Sequence, residues 1–293
     1  MLSKERLGSE IRKIRKSKKI TQQQLSSEIC SQSEISRIEA GDFFPGIDLL
    51  ASIAVRLNTP LTHFFDILSH EEVEVSKEIK NRILLLSNKK KYHELTIYIE
   101  ELMTNPPAMS GELEKFIFWK KHLSSYYIRR IDAETCRIEL TLLLLNKAVG
   151  TDVMIDLSIK NSIAIILAEN QKYEESFSMY IQILASIPLD DHGISFKTKV
   201  LYNLGKLSFI QKKFEDSLRY TNEGIQSSID SSDMSLLGQL YYQQGSLFEA
   251  LGYSFDESSN AYRSSLFFFE LLELPLYTEI LHRNKASYLV GPG

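Results

Sequence analysis

The densest chemistry in this 293-residue sequence is cationic. Residues 1–19 hold eight bases (Lys4, Arg6, Arg12, Lys13, Arg15, Lys16, Lys18, Lys19) against two acids, Glu5 and Glu10. A cluster of that sign suits a polyanion, whose condensed counterions it can release. The other reactive side chains form no comparable group. His63, His70, His93, His122, His192 and His282 are scattered, and none makes an H-x-x-x-H or Cys/His metal spacing. Cys30 and Cys136 stand apart, as small packed residues do, and so few thiols suit a reducing compartment. Trp119 and the run Phe267-Phe268-Phe269 read as core material rather than a cofactor stack. There is no Walker loop, no G-x-G-x-x-G and no G-x-S-x-G. No catalytic residue, metal or cofactor is expected, and the chain reads as a non-enzyme.

The elements that must carry this charge are helices. Hydrophobic residues make up 43% of the chain, while only 13 glycines and 7 prolines interrupt it, too few for the turns of an all-β fold. No stretch approaches the ~20 apolar residues of a membrane span. The charged N-terminus lacks the apolar segment of a secretory signal, so a cytoplasmic location is expected. The net charge of −4 hides an asymmetry: residues 1–69 carry ten bases and eight acids, and the remainder 24 bases and 30 acids. One end is built to meet a polyanion, and the body to meet something else.

Within the first seventy residues a helix over about Lys4–Lys18 sets Leu7, Ile11 and Ile14 on one face and Arg12, Arg15, Lys16 and Lys19 on another. Thr21-Gln22-Gln23-Gln24 is a capping box opening a second helix that buries Leu25. After a turn at Ile29-Cys30, Ser31 and Glu34 form another, opening a third helix from Gln32 to Glu39 that Gly41 ends. Ile35 and Ile38 point inward there. Gln32, Ser33, Ser36 and Arg37 share the outward face, and these hydrogen-bonding side chains can reach base edges and phosphates. The arrangement is a helix-turn-helix. A fourth helix follows Pro45-Gly46, and a fifth, after Asn58-Thr59-Pro60, carries Phe64, Phe65, Ile67 and Leu68. A charged linker helix over Glu71–Arg82 has only Val73, Val75 and Ile79 as apolar contacts.

The T-Q-x-x-L opening, the S-x-I-S-x-I-E-x-G third helix and the L-x-x-I-A-x-x-L fourth helix resemble the λ-repressor-like, xenobiotic-response-element type of DNA-binding domain. That resemblance implies a recognition helix in the major groove and a phosphate grip at the start of the second helix, where Gln22 stands. The expected DNA contacts are Arg15, Lys16, Gln22, Gln32, Ser33, Ser36 and Arg37.

Beyond residue 82 a repeat emerges. Lys91-Tyr92-His93-Glu94, Lys172-Tyr173-Glu174-Glu175, Lys213-Phe214-Glu215-Asp216 and Phe255-Asp256-Glu257 place aromatics 41 residues apart at 173, 214 and 255. The gap from Tyr92 to Tyr173 is close to two periods, and a degenerate copy near Ile131-Asp132-Ala133-Glu134 fills it. Ala164, Gly205 and Gly245 precede the aromatics by nine or ten residues, where a small side chain lets antiparallel helices approach. The expected fold is therefore all-α: an N-terminal helix-turn-helix domain, a linker helix, and a C-terminal α-solenoid of about five tetratricopeptide-like (TPR-like) repeats with a concave inner face. A HEAT-like repeat is the runner-up.

Over its whole length the chain resembles the peptide-sensing transcription factors of Gram-positive bacteria, the Rap/NprR/PlcR/PrgX group. Arg6–Ile11, His63–Phe65, Asn161–Ala164, Lys199–Asn203, Gly238–Gln243 and Phe267–Phe269 carry that resemblance. It implies a secreted peptide, re-imported and held on the inner face of the solenoid by Lys90, Asn161, Asn203, Gln239 and Tyr277. It also implies a homodimer on a near-palindromic operator and no membrane partner. Asn88 and Phe65 depart from the group, standing where a lysine and a tyrosine are expected. The implied domains are 1–69 for DNA binding, 70–82 for the linker helix and 83–293 for peptide binding and dimerisation. A peptide-independent repressor of the same fold, or a TPR adaptor for a partner protein, remain the alternatives.

Overall fold

The computed structural model describes residues 4–107, 109–146 and 152–290, with the side chains of 68–72 and 191 excepted. Leu68 and His70, named above, thus have side chains outside the described set. Among the described residues every regular element is helical and there is no strand. The chain forms two compact units, Met1–Ile117 and Phe118–Gly293.

The first unit opens with α1 (Lys4–Ser17), α2 (Gln22–Ser26), α3 (Gln32–Ala40) and α4 (Ile47–Arg56). Both expected capping boxes form, Thr21 with Gln24 and Ser31 with Glu34, and Gly41 ends α3 at a φ of 79°. Leu7, Ile11, Leu25, Ile35, Ile38, Leu50, Ile53, Leu57 and Phe64 make one buried core. The α2–α3 turn passes through Glu28 at a φ of 60°, a left-handed conformation that an L side chain resists. Arg56 holds the turn from α4, donating from Nη1 to Gln24 O at 3.0 Å and from Nη2 to Ser27 O at 2.9 Å.

The fifth helix and the linker helix are a single element, α5 (Leu61–Asn88), of 28 residues. No glycine or proline interrupts Leu61–Asn88, so the polar stretch between its apolar ends has nothing to break it. Phe64 at its start belongs to the core of the helix-turn-helix, while Ile79, Ile83 and Leu86 are buried near its end. A tight turn leads into α6 (Tyr92–Thr104), and α7 (Gly111–Tyr127) carries the chain into the second unit.

The second unit continues with α8 (Ala133–Leu145), α9 (Val153–Glu169), α10 (Tyr173–Leu184), α11 (Asp191–Ile210), α12 (Phe214–Asp230), α13 (Leu237–Leu251), α14 (Phe255–Leu271) and α15 (Pro275–Leu289). Successive helices pack on one another from α8 to α15, the pattern of an α-solenoid. The repeat aromatics Tyr92, Tyr173, Phe214 and Phe255 are each the first residue of the second helix of a pair. Just before them stand residues of positive φ, Lys90, Gln171, Lys212 and Gly252, with Arg129 in the degenerate copy. The small residues are helix contacts: Ser176 Oγ donates to Ala164 O at 2.8 Å, and Ser217 Oγ to Gly205 O at 2.7 Å. Phe269 is core, but Phe267 is 58% exposed, so only part of the Phe267–Phe269 run fills the interior.

Gly8 sets the distance between α1 and the recognition helix. A Cβ there would lie 2.1 Å from the carbonyl oxygen of Ile38, a backbone atom that cannot step aside. Gly8→Ala should destabilise the first unit by at least ~1–3 kcal/mol despite alanine's better helix propensity. Urea denaturation followed by circular dichroism measures this, and an unchanged midpoint would show that α1 can shift.

Candidate nucleic-acid interface and the inner wall of the repeats

On α3 the outward face is as the periodicity requires. Gln32, Ser33 and Arg37 are exposed and Ser36 is half-buried, while Ile35 and Ile38 are in the core. The Arg37 guanidinium lies 5.4 Å from the centroid of the Phe43 ring, which steadies it at the edge of the helix.

Arg15 departs from its expected place. It is 8% exposed and faces inward, donating from Nε to Glu39 Oε1 at 2.5 Å, from Nη2 to Glu39 Oε2 at 2.8 Å and from Nη1 to Ile20 O at 2.8 Å. A guanidinium so occupied is not offered to a phosphate. Helical spacing alone placed Arg15 with Arg12, Lys16 and Lys19, but a buried carboxylate on α3 draws it in. Lys18 likewise turns to cap α4, reaching Leu57 O and Asn58 O. The outer basic surface of α1 is left to residues such as Arg12, Lys16 and Lys19, all exposed.

Glu39, the acid of the S-x-I-S-x-I-E-x-G motif, is the residue that sequence reasoning passed over. It also accepts from Gln22 Nε2 at 2.9 Å, and Gln22 Oε1 in turn accepts from Gln32 Nε2 at 2.7 Å. The chain Arg15–Glu39–Gln22–Gln32 therefore links α1, α2 and α3 and aims two side chains expected at the DNA. Burial alone would raise the Glu39 pKa, but hydrogen bonds from Arg15 and Gln22, with the charges of Arg15 and Arg12, hold it below the usual value.

In the second unit Asn161 and Asn203 stand on neighbouring helices, with Asn203 Nδ2 donating to Asn161 Oδ1 at 3.0 Å. Further along, Gln239 and Tyr277 line a cavity of about 170 Å³ together with Tyr202, Tyr242, Phe269 and Ile280. Tyr277 stacks on Phe269 with centroids 5.2 Å apart. The buried Oε1 of Gln239 has no hydrogen-bond partner among the described residues. Burial, and then Tyr277, push the Tyr202 hydroxyl above its usual pKa, so the two phenols are near neighbours. Four of the five expected peptide residues thus share this unit, from α9 through α11 and α13 to α15. Lys90 belongs to the first unit, at the turn between α5 and α6 with a φ of 54°. Tyr202 and Tyr242 were not anticipated, although both lie within stretches that carried the resemblance.

Neither cysteine is activated. Cys136 is fully buried and burial pushes its thiol up to about 12, opposite to what a nucleophile needs. Among the described residues no three His, Cys, Asp or Glu side chains could hold a metal ion, and no helix is long and apolar enough to cross a membrane.

A helix-turn-helix followed by an α-solenoid with an amide- and tyrosine-lined wall defines a class: the DNA-binding regulator that carries its own helical-repeat domain. Residues 11–64 match the helix-turn-helix family, and residues 80–290 match the RNPP family C-terminal domain. The chain belongs to the RNPP family, and neither matching family describes an enzyme. It is similar to PlcR of Bacillus thuringiensis, the member that its shared stretches had singled out, as itself or a paralogue. The structure of PlcR with the peptide PapR7 and DNA is 36% identical, with a TM-score of 0.73 over 94% of this chain and 99% of that one. Apo PlcR is 34% identical, with a TM-score of 0.76 over 96% and 99%. ComR of Streptococcus vestibularis with its peptide XIP shares the fold at 20% identity, with a TM-score of 0.61 over 98% and 100%. No curated protein sequence matches the chain.

Removing one partner of the Arg15–Glu39 pair strands the other charge in the interior. Glu39→Gln should destabilise the first unit by ~3–5 kcal/mol, whereas the double variant Arg15→Met/Glu39→Leu should recover most of that loss. Because the folded-state pKa of Glu39 is lowered, its contribution is present above the ordinary value of 4.5 and lost as pH falls through the folded-state value. Denaturation midpoints across acid pH test both statements. An acid slope that persists unchanged in Glu39→Gln would assign it to other carboxylates.

Proposed function

We propose that this chain is a sequence-specific DNA-binding transcriptional regulator controlled by a short re-imported signalling peptide. The observation that carries the reading is one chain holding both an outward polar recognition helix and an RNPP repeat domain whose inner wall is lined with amides and phenols. The similarity to PlcR, which has been solved with a peptide and DNA together, supports it.

DNA binding falls to residues 1–69, with Gln32, Ser33, Ser36 and Arg37 facing the major groove and Gln22 and Lys16 meeting phosphate. Residues 70–82 transmit, and 83–293 bind peptide and dimerise. Two copies on a near-palindromic operator place two recognition helices at successive major grooves. An extended peptide has backbone N–H and C=O groups that lose water on binding. An asparagine amide both donates and accepts, so Asn161 and Asn203 can replace that water, while Gln239 and Tyr277 continue the row. Lys90 is assigned a carboxylate of the peptide. Peptide binding selects one curvature of the solenoid, and α5 conveys that choice to the spacing of the DNA-binding domains. All of this takes place in the cytoplasm.

Ser36→Ala and Arg37→Ala should each cost ~1–3 kcal/mol of operator affinity with little change in thermal stability. Lys16→Ala should weaken binding to all sequences alike and lower the slope of log K against log salt by up to about one. Footprinting and anisotropy titrations over a salt series read both effects. Wild-type affinity in all three variants would remove this face from the DNA.

Asn161→Ala and Asn203→Ala should weaken peptide binding by ~1–3 kcal/mol, roughly 5- to 150-fold, and leave DNA affinity without peptide intact. The measurement is calorimetry with C-terminal penta- to heptapeptides of small exported proteins encoded nearby. If none binds, and the variants still regulate normally in cells, the chain is a peptide-independent repressor.

A further inference from the structure

The small cavity at the end of the solenoid has mostly aromatic walls. Gln239 and Tyr242 lie one turn apart on α13, and Tyr277 and Ile280 one turn apart on α15. Tyr202 of α11 and Phe269 of α14 complete the lining. Gly238 lets α14 close on α13: a Cβ there would lie 2.5 Å from ring carbons of Phe269, and Ser265 Oγ donates to Gly238 O at 2.8 Å. The Phe269 ring so placed carries Tyr277 stacked on it. The cavity measures about 170 Å³, and an apolar cavity of ~150 Å³ takes one benzene ring. Among the described residues no acid or base lines it. Besides phenol hydroxyls, its one polar end-group is the Gln239 amide, whose buried Oε1 lacks a partner.

We propose that this cavity is a box for one tyrosine side chain, so that the ligand is a peptide with tyrosine at a fixed position. The inference rests on the peptide-sensing reading above and adds a side-chain requirement to it. The volume admits one six-membered ring and is too small for the fused rings of an indole. The surrounding rings favour an aromatic guest over an aliphatic one, because edge-to-face and offset pairs add to the area they bury. A charged side chain would be desolvated there without a counter-charge. The hydroxyl decides between tyrosine and phenylalanine. A buried amide oxygen left unpaired costs its full desolvation, and a phenyl ring leaves it so. A phenol O–H donates to that oxygen, and because it also accepts, it pairs with the amide turned either way. A site built on such a bond rejects the analogue that lacks it. Asn161 and Asn203 are assigned to the peptide backbone, which every sequence shares; the box supplies the choice among sequences.

The test is affinity selection by the full chain from a random heptapeptide library, with retained peptides sequenced by mass spectrometry. Tyrosine should be enriched over phenylalanine at one position. A retained peptide and its Tyr-to-Phe analogue are then compared by calorimetry, and the analogue should bind the wild type about tenfold or more weakly. Gln239→Leu keeps the volume and removes the amide, so it should bind the two peptides alike. The wild-type comparison stands by itself should Gln239→Leu fold poorly. Three results overturn the box and leave the peptide-sensing reading standing: no aromatic residue enriched at any position, phenylalanine bound as well as tyrosine by the wild type, or an undiminished tyrosine preference in Gln239→Leu. If the wild type retains no peptide at all, that reading falls first and the box falls with it.

Discussion

A single buried carboxylate organises the DNA-facing part of this protein. Glu39 sits at the far end of the recognition helix, takes both forks of Arg15 from α1 and accepts from Gln22 of α2. Buried ion pairs add little net stability, because desolvating two charges costs nearly what their attraction returns. What the pair supplies is position. A carboxylate shared among three helices accepts one mutual arrangement, and an apolar contact would tolerate several. Gln32 inherits that arrangement through Gln22, so a residue expected to read DNA is aimed by one that never reaches it.

The repeats solve a different problem by a uniform device. Five helix pairs turn through a residue of positive φ, and in four of them the second helix then starts on an aromatic. Four of these five positions are not glycine, so the turn is held by packing rather than by backbone freedom. In the α9–α10 and α11–α12 pairs a serine hydroxyl of the second helix donates to a carbonyl of the first, which lets the backbones close in without an orphaned polar group. Because these two pairs share this geometry, their corresponding wall residues fall in register, and Asn161 meets Asn203 across 42 residues of sequence.

Much of this was legible in the sequence wherever a local rule decided it. Capping boxes set the starts of α2 and α3, Gly41 set the end of α3, and the spacing of aromatics set the repeat. The inaccuracies share one cause: competition between distant partners. Arg15 has the periodicity of a surface base, and only the fold reveals a carboxylate 24 residues away that outbids solvent. The Glu71–Arg82 stretch looks like a separate linker because its apolar residues are sparse, yet a helix without breakers has no reason to stop.

The unbroken α5 behaves as a shaft. One end is seated in the helix-turn-helix core at Phe64 and the other is buried at Ile83 and Leu86, with 28 residues of rigid helix in all. A shaft transmits rotation as well as distance. Each residue added or removed along it would turn one end against the other by ~100° and shift it by ~1.5 Å. Seven residues make nearly two full turns and leave only ~20° of phase error. A change in the length of α5 by anything other than near-integral turns would therefore rotate the helix-turn-helix core seated at Phe64 against the buried Ile83 and Leu86.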